Sequence, residues 1–311
     1  MKRWTLRSLA NLKINSSTAE TVLQHVADRL AWQQTRLVDS HLHYLHRDTE
    51  QLCRQLLSSP VLQRWNSADQ DIVSKTLEQI RDRHATTLER LVDLKLESDE
   101  KNDILRVRYS IQLLCDHYVK LYKNKDAGAI TTIENASDLL DPAISQAQQV
   151  CESHWMMAPE VHLQRANPSK PLTLVLPWVH HTLVELLKNT FHATLQRHSR
   201  DPPPVQITLS SDDDAICVTL QDHGIGLPDS DNLFAWGYSS AGRRWDRLDE
   251  QQSYAAVRSP MSSLGVGLSA SRLMMQHFGG NVTLSSSQDE GAVARIYLPF
   301  RDDVLEHLPV A

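Results

Sequence analysis

Three short segments, taken in their order along the chain, constrain this sequence more than its composition does. The first runs from His181 to Thr194, HTLVELLKNTFHAT, where Leu183, Leu186, Leu187 and Phe191 recur with a helical period. His181, Glu185 and Asn189 fall at steps of four. That stacks an imidazole, a carboxylate and a carboxamide along one helix face. The second segment, Asp222-His223-Gly224-Ile225-Gly226, follows an alternating strand. Two glycines around one residue let backbone approach a ligand without a Cβ clash. An aspartate at a strand end can accept a hydrogen bond from an amine, such as the exocyclic amine of adenine. The third, Gly265-Val266-Gly267-Leu268 followed by Ser271-Arg272-Leu273, opens a helix whose free N–H groups suit a phosphate chain. Singly, each has a plain alternative: an amphipathic helix, a turn, a short GxG. The last also lacks the lysine of a P-loop and the full dinucleotide fingerprint.

The chain around these segments changes character once. Residues 18 to 58 read as one long helix, with Leu23, Val26, Leu30, Leu37 and Leu45 in its stripe. His41, His43 and His46 cluster within it, but no cysteine or carboxylate completes a metal set nearby. Helical patterns follow over 68 to 97, 100 to 122, and from Asp141-Pro142 to about His154. Four long amphipathic segments predict a helical bundle. After Pro159 the pattern turns to short strands at Val161–Leu163 and Leu172–Leu176, and Pro177 leads into the helix of the first segment. Val205–Leu209 and Ala215–Leu220 form a hairpin, and Val282–Ser285 with Val293–Leu298 form another. Between them, Gly224 to Ser263 is poor in periodicity and long for an ordinary connection, which marks it as functional. A helix spans Leu264–Phe278. The expectation is a helical bundle followed by an α/β sandwich with a mixed sheet covered on one side.

Composition narrows the setting. The 311 residues suffice for two domains, with 41% apolar and 23% charged residues. A net charge of −6 implies no general nucleic-acid surface, and no apolar run approaches the length that spans a bilayer. Cys53, Cys115, Cys151 and Cys217 have neither metal spacing nor a compact disulfide pattern, so they read as thiols. Residues 1 to 17 are basic until Glu20, with Trp4, Leu6, Leu9 and Leu12 between Lys2, Arg3, Arg7 and Lys13. That fits a mitochondrial targeting segment equally as well as a basic tail or first helix of a cytoplasmic protein.

Set in this order, the three segments resemble the N box, the D-x-G-x-G box and the G-x-G-L box of the GHKL ATPase superfamily. The resemblance implies a Bergerat-type ATP-binding sandwich over 158–311, behind a regulatory four-helix bundle over 18–157. A closer likeness covers most of the chain. The E-L-x-K-N segment with a His four residues earlier and A-T after it resembles that of the mitochondrial kinases of pyruvate or branched-chain 2-oxoacid dehydrogenase. Here those positions are His181, Glu185, Leu186, Lys188, Asn189, Ala193 and Thr194. IRDRHATTLERL (80 to 91), RYSIQLLCDHY (108 to 118) and Ala158-Pro159-Glu160 are similar to that family as well.

The family resemblance assigns roles. Glu185 is the general base for a serine hydroxyl, with His181 adjusting it. Asn189 holds Mg²⁺. Asn189, Lys188, His192, Asp222, Gly224, Gly226, Ser239, Ser240, Leu264, Gly265, Val266, Gly267 and Leu268 surround ATP, with K⁺ as a further ion. The partners implied are the E1 and lipoyl-bearing E2 subunits of a 2-oxoacid dehydrogenase complex, with a homodimer as the working form and no membrane insertion. The mitochondrial matrix is the implied compartment if the basic segment is an address.

Several positions depart from the pattern. His192 stands where the family has arginine, Ser263 where it has glycine, and Ala292 where it has threonine. The D-W pair of the pyruvate-type tail is not in RDDVLEHLPVA, which leans the expectation toward a branched-chain-type or divergent enzyme. Two rivals follow: a nucleotide-binding scaffold of the same fold without kinase activity, and an atypical histidine kinase. The second lacks the S-H-E-x-R-x-P phosphoacceptor segment; Ser153-His154-Trp155 does not fit it.

Overall fold

A computed structural model describes residues 1–37, 39–85, 87–124, 128–165, 170–228, 232–238, 265–287 and 291–310. The chain divides into two compact units: Met1–Thr131 with Thr173–Val175 and Asp302–Ala311, and Thr132–Leu172 with Leu176–Arg301. The division thus falls at 131/132, whereas the change in sequence pattern placed it after 157.

The first unit is helical. It contains α1 (Leu6–Ala10), α2 (Ser16–Gln34), α3 (Ser40–Leu57), α4 (Val61–Arg64), α5 (Ser67–Ala85), α6 (Thr87–Asp93) and α7 (Ser98–Asn124). The long helices pack in a ring, α2 against α3 and α7, and α5 against α3 and α7. Most of the expected stripe is its core: Leu23, Val26, Leu30 and Leu37 are buried, with Leu77, Ile80, Ile104 and Tyr118 from the later helices, while Leu45 is half-buried. Its four long helices are not the four expected. The pattern over 18 to 58 is two helices, because the Asp39 side chain accepts from Leu42 N–H at 2.8 Å and starts α3 afresh. The pattern over 68 to 97 likewise breaks into α5 and α6. Of the clustered histidines His46 is buried while His41 and His43 are exposed, so they do not converge on an ion.

Residues 4 to 12 are folded into this unit. Leu6, Leu9 and Leu12 are buried, Trp4 Nε1 donates to His25 Nδ1 at 2.6 Å, and His117 Nε2 bonds the Leu9 carbonyl at 2.8 Å. The C-terminal segment belongs here too: Thr5 and Leu305 form an antiparallel bridge, and Arg29 pairs with Glu306 at 2.6 Å with both side chains fully buried.

The second unit holds the sheet. Of its connecting elements, β1 (Ile130–Ile133) spans the boundary, and α8 (Leu140–Trp155) packs along α9 rather than joining the bundle. The other elements are β2 (Val161–Arg165), α9 (Leu176–Arg197), β4 (Val205–Ser211), β5 (Ala215–Gln221), α10 (Gly267–Gln276), β6 (Asn281–Ser287) and β7 (Gly291–Pro299), while β3 (Leu172–Val175) falls with the first unit from Thr173 on. Five strands line up as β2-β4-β5-β7-β6, while β3, expected in the main sheet, pairs with β1. β2 and β4 run parallel and the remaining pairs antiparallel. Alternation sets the register: Ile207 faces Leu220, and Leu220 faces Ala294, so one apolar face forms. α9 and α10 pack against this sheet. The fold class expected from sequence, helices followed by a mixed-sheet α/β layer, is the one observed. Among the described residues no helix is long and apolar enough to cross a membrane.

Candidate nucleotide-binding site

α9 carries the first segment. Leu183, Leu187, Phe191 and Leu195 are fully buried, which fixes the helix's rotation and leaves Glu185 half-buried and Asn189 exposed. Glu185 Oε1 accepts a hydrogen bond from Lys188 Nζ at 2.7 Å. The other carboxylate oxygen lies against Gly267, where a Cβ would overlap it. One turn earlier, burial lowers the pKa of His181 from its ordinary 6.5, and the Glu185 carboxylate opposes that shift. The imidazole is therefore neutral at pH 7.

β5 delivers Asp222, which is 4% exposed. Its Oδ1 accepts from Gly224 N–H at 2.9 Å and Ala292 N–H at 3.0 Å. Burial raises the Asp222 pKa, and those two donors pull against it. Both bonds fall on one oxygen, so Oδ2 retains capacity for a ligand's donor. Gly224 is packed so tightly on α9 that a Cβ would meet the Ala193 backbone. Arg197 Nη1 donates to the Gly224 carbonyl at 3.1 Å, and Ile225 N–H to the Ala193 carbonyl at 3.3 Å. Gly226 takes a left-handed φ of 75°. Beyond it the Ser286 hydroxyl accepts from Leu227 N–H at 3.2 Å and donates to the Gly291 carbonyl at 2.9 Å.

In the third segment Gly265 has φ 72° and its carbonyl accepts from Gly237 N–H at 2.9 Å. α10 then begins without a side-chain cap and without an acidic residue in its first turn. Its first N–H groups have no such partner, which is the electrostatic setting an anion prefers. Val266 is the residue before the helix, and Gly267 and Leu268 are its first two positions.

The three segments thus meet within one unit. Glu185 touches Gly267, α9 holds the Asp222–Gly226 loop, and Ala292 completes the Asp222 clamp. The Ala292 contact is made by backbone, so the side-chain departure there leaves it intact. His192 sits elsewhere. Trp155 Nε1 donates to its Nδ1 at 3.2 Å, and its Nε2 meets the Gln196 amide at 3.0 Å. Burial and then His154 lower its pKa, so it brings no fixed positive charge. Ser239, Ser240, Ser263 and Leu264 lie outside the described residues. Sequence reasoning missed Arg197 and Ser286. The bonds of Arg197 and Ser286 reach 27 and 59 residues along the chain, and no local pattern announces them.

These residues fit a magnesium nucleotide. No group of three His, Cys, Asp or Glu among the described residues could hold a metal alone. A single exposed carboxamide, Asn189, suits an ion bound mostly by phosphate oxygens.

Comparison with known proteins agrees with this geometry. Residues 175–302 match the family described as histidine kinase-, DNA gyrase B-, and HSP90-like ATPase. The chain is 29% identical over 222 residues to the human mitochondrial [pyruvate dehydrogenase (acetyl-transferring)] kinase isozyme 1, covering 65% of this chain and 49% of that protein. Isozyme 3 of Mus musculus is 30% identical over 221 residues, covering 65% and 52%. The Drosophila melanogaster kinase is 30% identical over 223 residues, covering 65% and 52%. The chain spans about half the length of the curated relatives it matches. With the three segments assembled in one fold, the sheet-bearing part of the chain is thus similar to the histidine kinase-, DNA gyrase B-, and HSP90-like ATPases, and about two thirds of the chain is similar to the mitochondrial pyruvate dehydrogenase kinases.

Proposed function

We propose that the chain is an ATP-dependent serine protein kinase that phosphorylates, and so inactivates, the E1 subunit of a mitochondrial 2-oxoacid dehydrogenase complex. The observation that carries the reading is Glu185. Its carboxylate lies against the uncapped opening of α10 and one turn from Asn189. Magnesium ATP, when bound, supplies the phosphoryl group and the charge neutralisation. Asp222 Oδ2 would accept from the adenine amine, the first N–H groups of α10 would hold the phosphates, and Asn189 would hold the ion.

Glu185 takes the proton of the acceptor serine, because a hydroxyl is a poor nucleophile until that proton leaves. His181, neutral beside it, accepts or donates a hydrogen bond without adding charge to the base. Lys188 neutralises the carboxylate in the ion pair observed and can turn to a phosphate. The relatives' names supply a mitochondrial compartment, and the resemblance of the sequence adds the matrix, a homodimer and a lipoyl-bearing E2 as docking partner to the proposal.

The test is incubation with Mg-ATP and purified pyruvate or branched-chain E1, followed by mapping of modified residues. Stable phosphoserine on one E1 supports the proposal, and Glu185→Gln should keep ATP binding while nearly abolishing transfer. Binding without transfer to any E1 would favour the scaffold reading. Acid-labile, alkali-stable phosphate would favour a histidine kinase.

A further inference from the structure

Gly265 needs glycine for its left-handed backbone, but Gly267 does not: its φ lies in the ordinary range. As a helix residue it would be better served by alanine. The reason for glycine lies across the site. The three atoms nearest to a Cβ built on Gly267 all belong to Glu185, namely Oε2, Cδ at 3.0 Å and Cγ at 3.4 Å. Lys188 Nζ meanwhile holds Oε1 at 2.7 Å. The carboxylate is therefore gripped from two sides, by an ammonium on one oxygen and by a bare Cα on the other.

We infer that Gly267 is a positioning residue for Glu185: its missing side chain sets how closely the base can sit against the opening of α10. This adds to the nucleotide-lining role and rests on the kinase reading for its catalytic consequence, though not for the contact itself. The end of a glutamate is flexible, so a methyl group at 267 would swing the carboxylate aside without unfolding the helix. The base would then be out of line with the hydroxyl it must deprotonate.

The experiment compares Gly267→Ala, Glu185→Asp and the double variant. Gly267→Ala should lose about 100-fold in kcat, the scale of a misplacement of roughly 1 Å, and far less than that in its affinity for Mg-ATP by calorimetry. Shortening the acid by one methylene makes room for the new methyl. The double variant should therefore transfer phosphate faster than Gly267→Ala alone, a rescue that a merely structural glycine would not allow. Loss of nucleotide affinity in step with loss of transfer, or no rescue by Glu185→Asp, would overturn the inference.

A second readout separates this from the kinase reading. In thermal melts, Gly267→Ala should raise the midpoint when Glu185 is alanine and fail to raise it when Glu185 is present. Equal shifts in both backgrounds, or unfolding in both, would overturn the contact. Absence of phosphotransfer by the wild type would instead overturn the kinase reading and leave this coupling measurable.

Discussion

Asp222 is a buried carboxylate with one oxygen spent and one in reserve. Because burial has raised its pKa, the neutral form gains ground as pH falls, at values above the usual carboxylate range. Against the adenine amine of the proposed complex, a protonated Oδ2 would be a donor facing a donor. ATP affinity should therefore weaken on going from pH 7.5 to 5.5. Asp222→Asn presents an amide N–H₂ to the adenine amine at every pH. Calorimetry should show it about 10–100-fold weaker for ATP, the effect of one unmade buried hydrogen bond, and without that pH dependence. A variant that bound ATP normally would remove Asp222 from the adenine role. The places of Glu185, Asn189 and Asp222 in the fold were legible in the sequence because a helix period and a strand end set them by local rules. Ser286 and Arg197 were not, because their hydrogen bonds depend on which segments fold back on one another.

Elements were legible in kind and less so in extent. The apolar stripes gave the right helix class, but a stripe continues across a short break when both halves bury the same face. The Asp39 cap that divides α2 from α3 is one aspartate among many. α8 was expected in the bundle because amphipathicity tells that a face is buried, not against which partner. The buried polar groups between helices carry a pH signature of their own. Burial lowers the pKa of His25 to about 4 and of His84 to about 3. His25 accepts from Trp4 through Nδ1, and His84 Nε2 meets the Thr49 hydroxyl at 3.0 Å. At His46 burial likewise lowers the pKa to about 4, and the hydrogen bond between its Nδ1 and the Leu42 carbonyl opposes that shift.

A histidine near 6.5 when unfolded and lower when folded binds more protons unfolded, so stability falls as pH drops below about 6.5 and levels off near the folded values. Urea midpoints of the helical unit should fall between pH 7.5 and 5. Replacing His25 and His84 with glutamine should flatten the slope. A midpoint insensitive to pH over that interval would refute the assignment of neutral rings at both sites.

At the scale of the whole chain, the sheet-bearing unit is inserted into the helical one: residues before 132 and after 301 belong together. What fastens the two ends is a buried ion pair. Glu306 Oε2 takes hydrogen bonds from Arg29 Nη2 at 2.6 Å and Trp4 N–H at 2.9 Å, and its Oε1 accepts from the Ser110 hydroxyl. Arg29 Nε and Nη1 find no partner among the described residues, and burial lowers the Arg29 pKa while Glu306 opposes it. A charge so enclosed tolerates its partner's loss badly. Glu306→Ala should destabilise the helical unit by about 3–5 kcal/mol, whereas Arg29→Met with Glu306→Leu should lie closer to wild type, because both charges leave together. Amide exchange across α1, α2 and α7 would report the first variant's loss of protection. If the single and double variants were equally unstable, the pair would matter for its packing and not for its charge. If neither lost protection, the C-terminal segment would not be fastening the N-terminal one, and residues 4 to 12 would be free to serve as a detachable address.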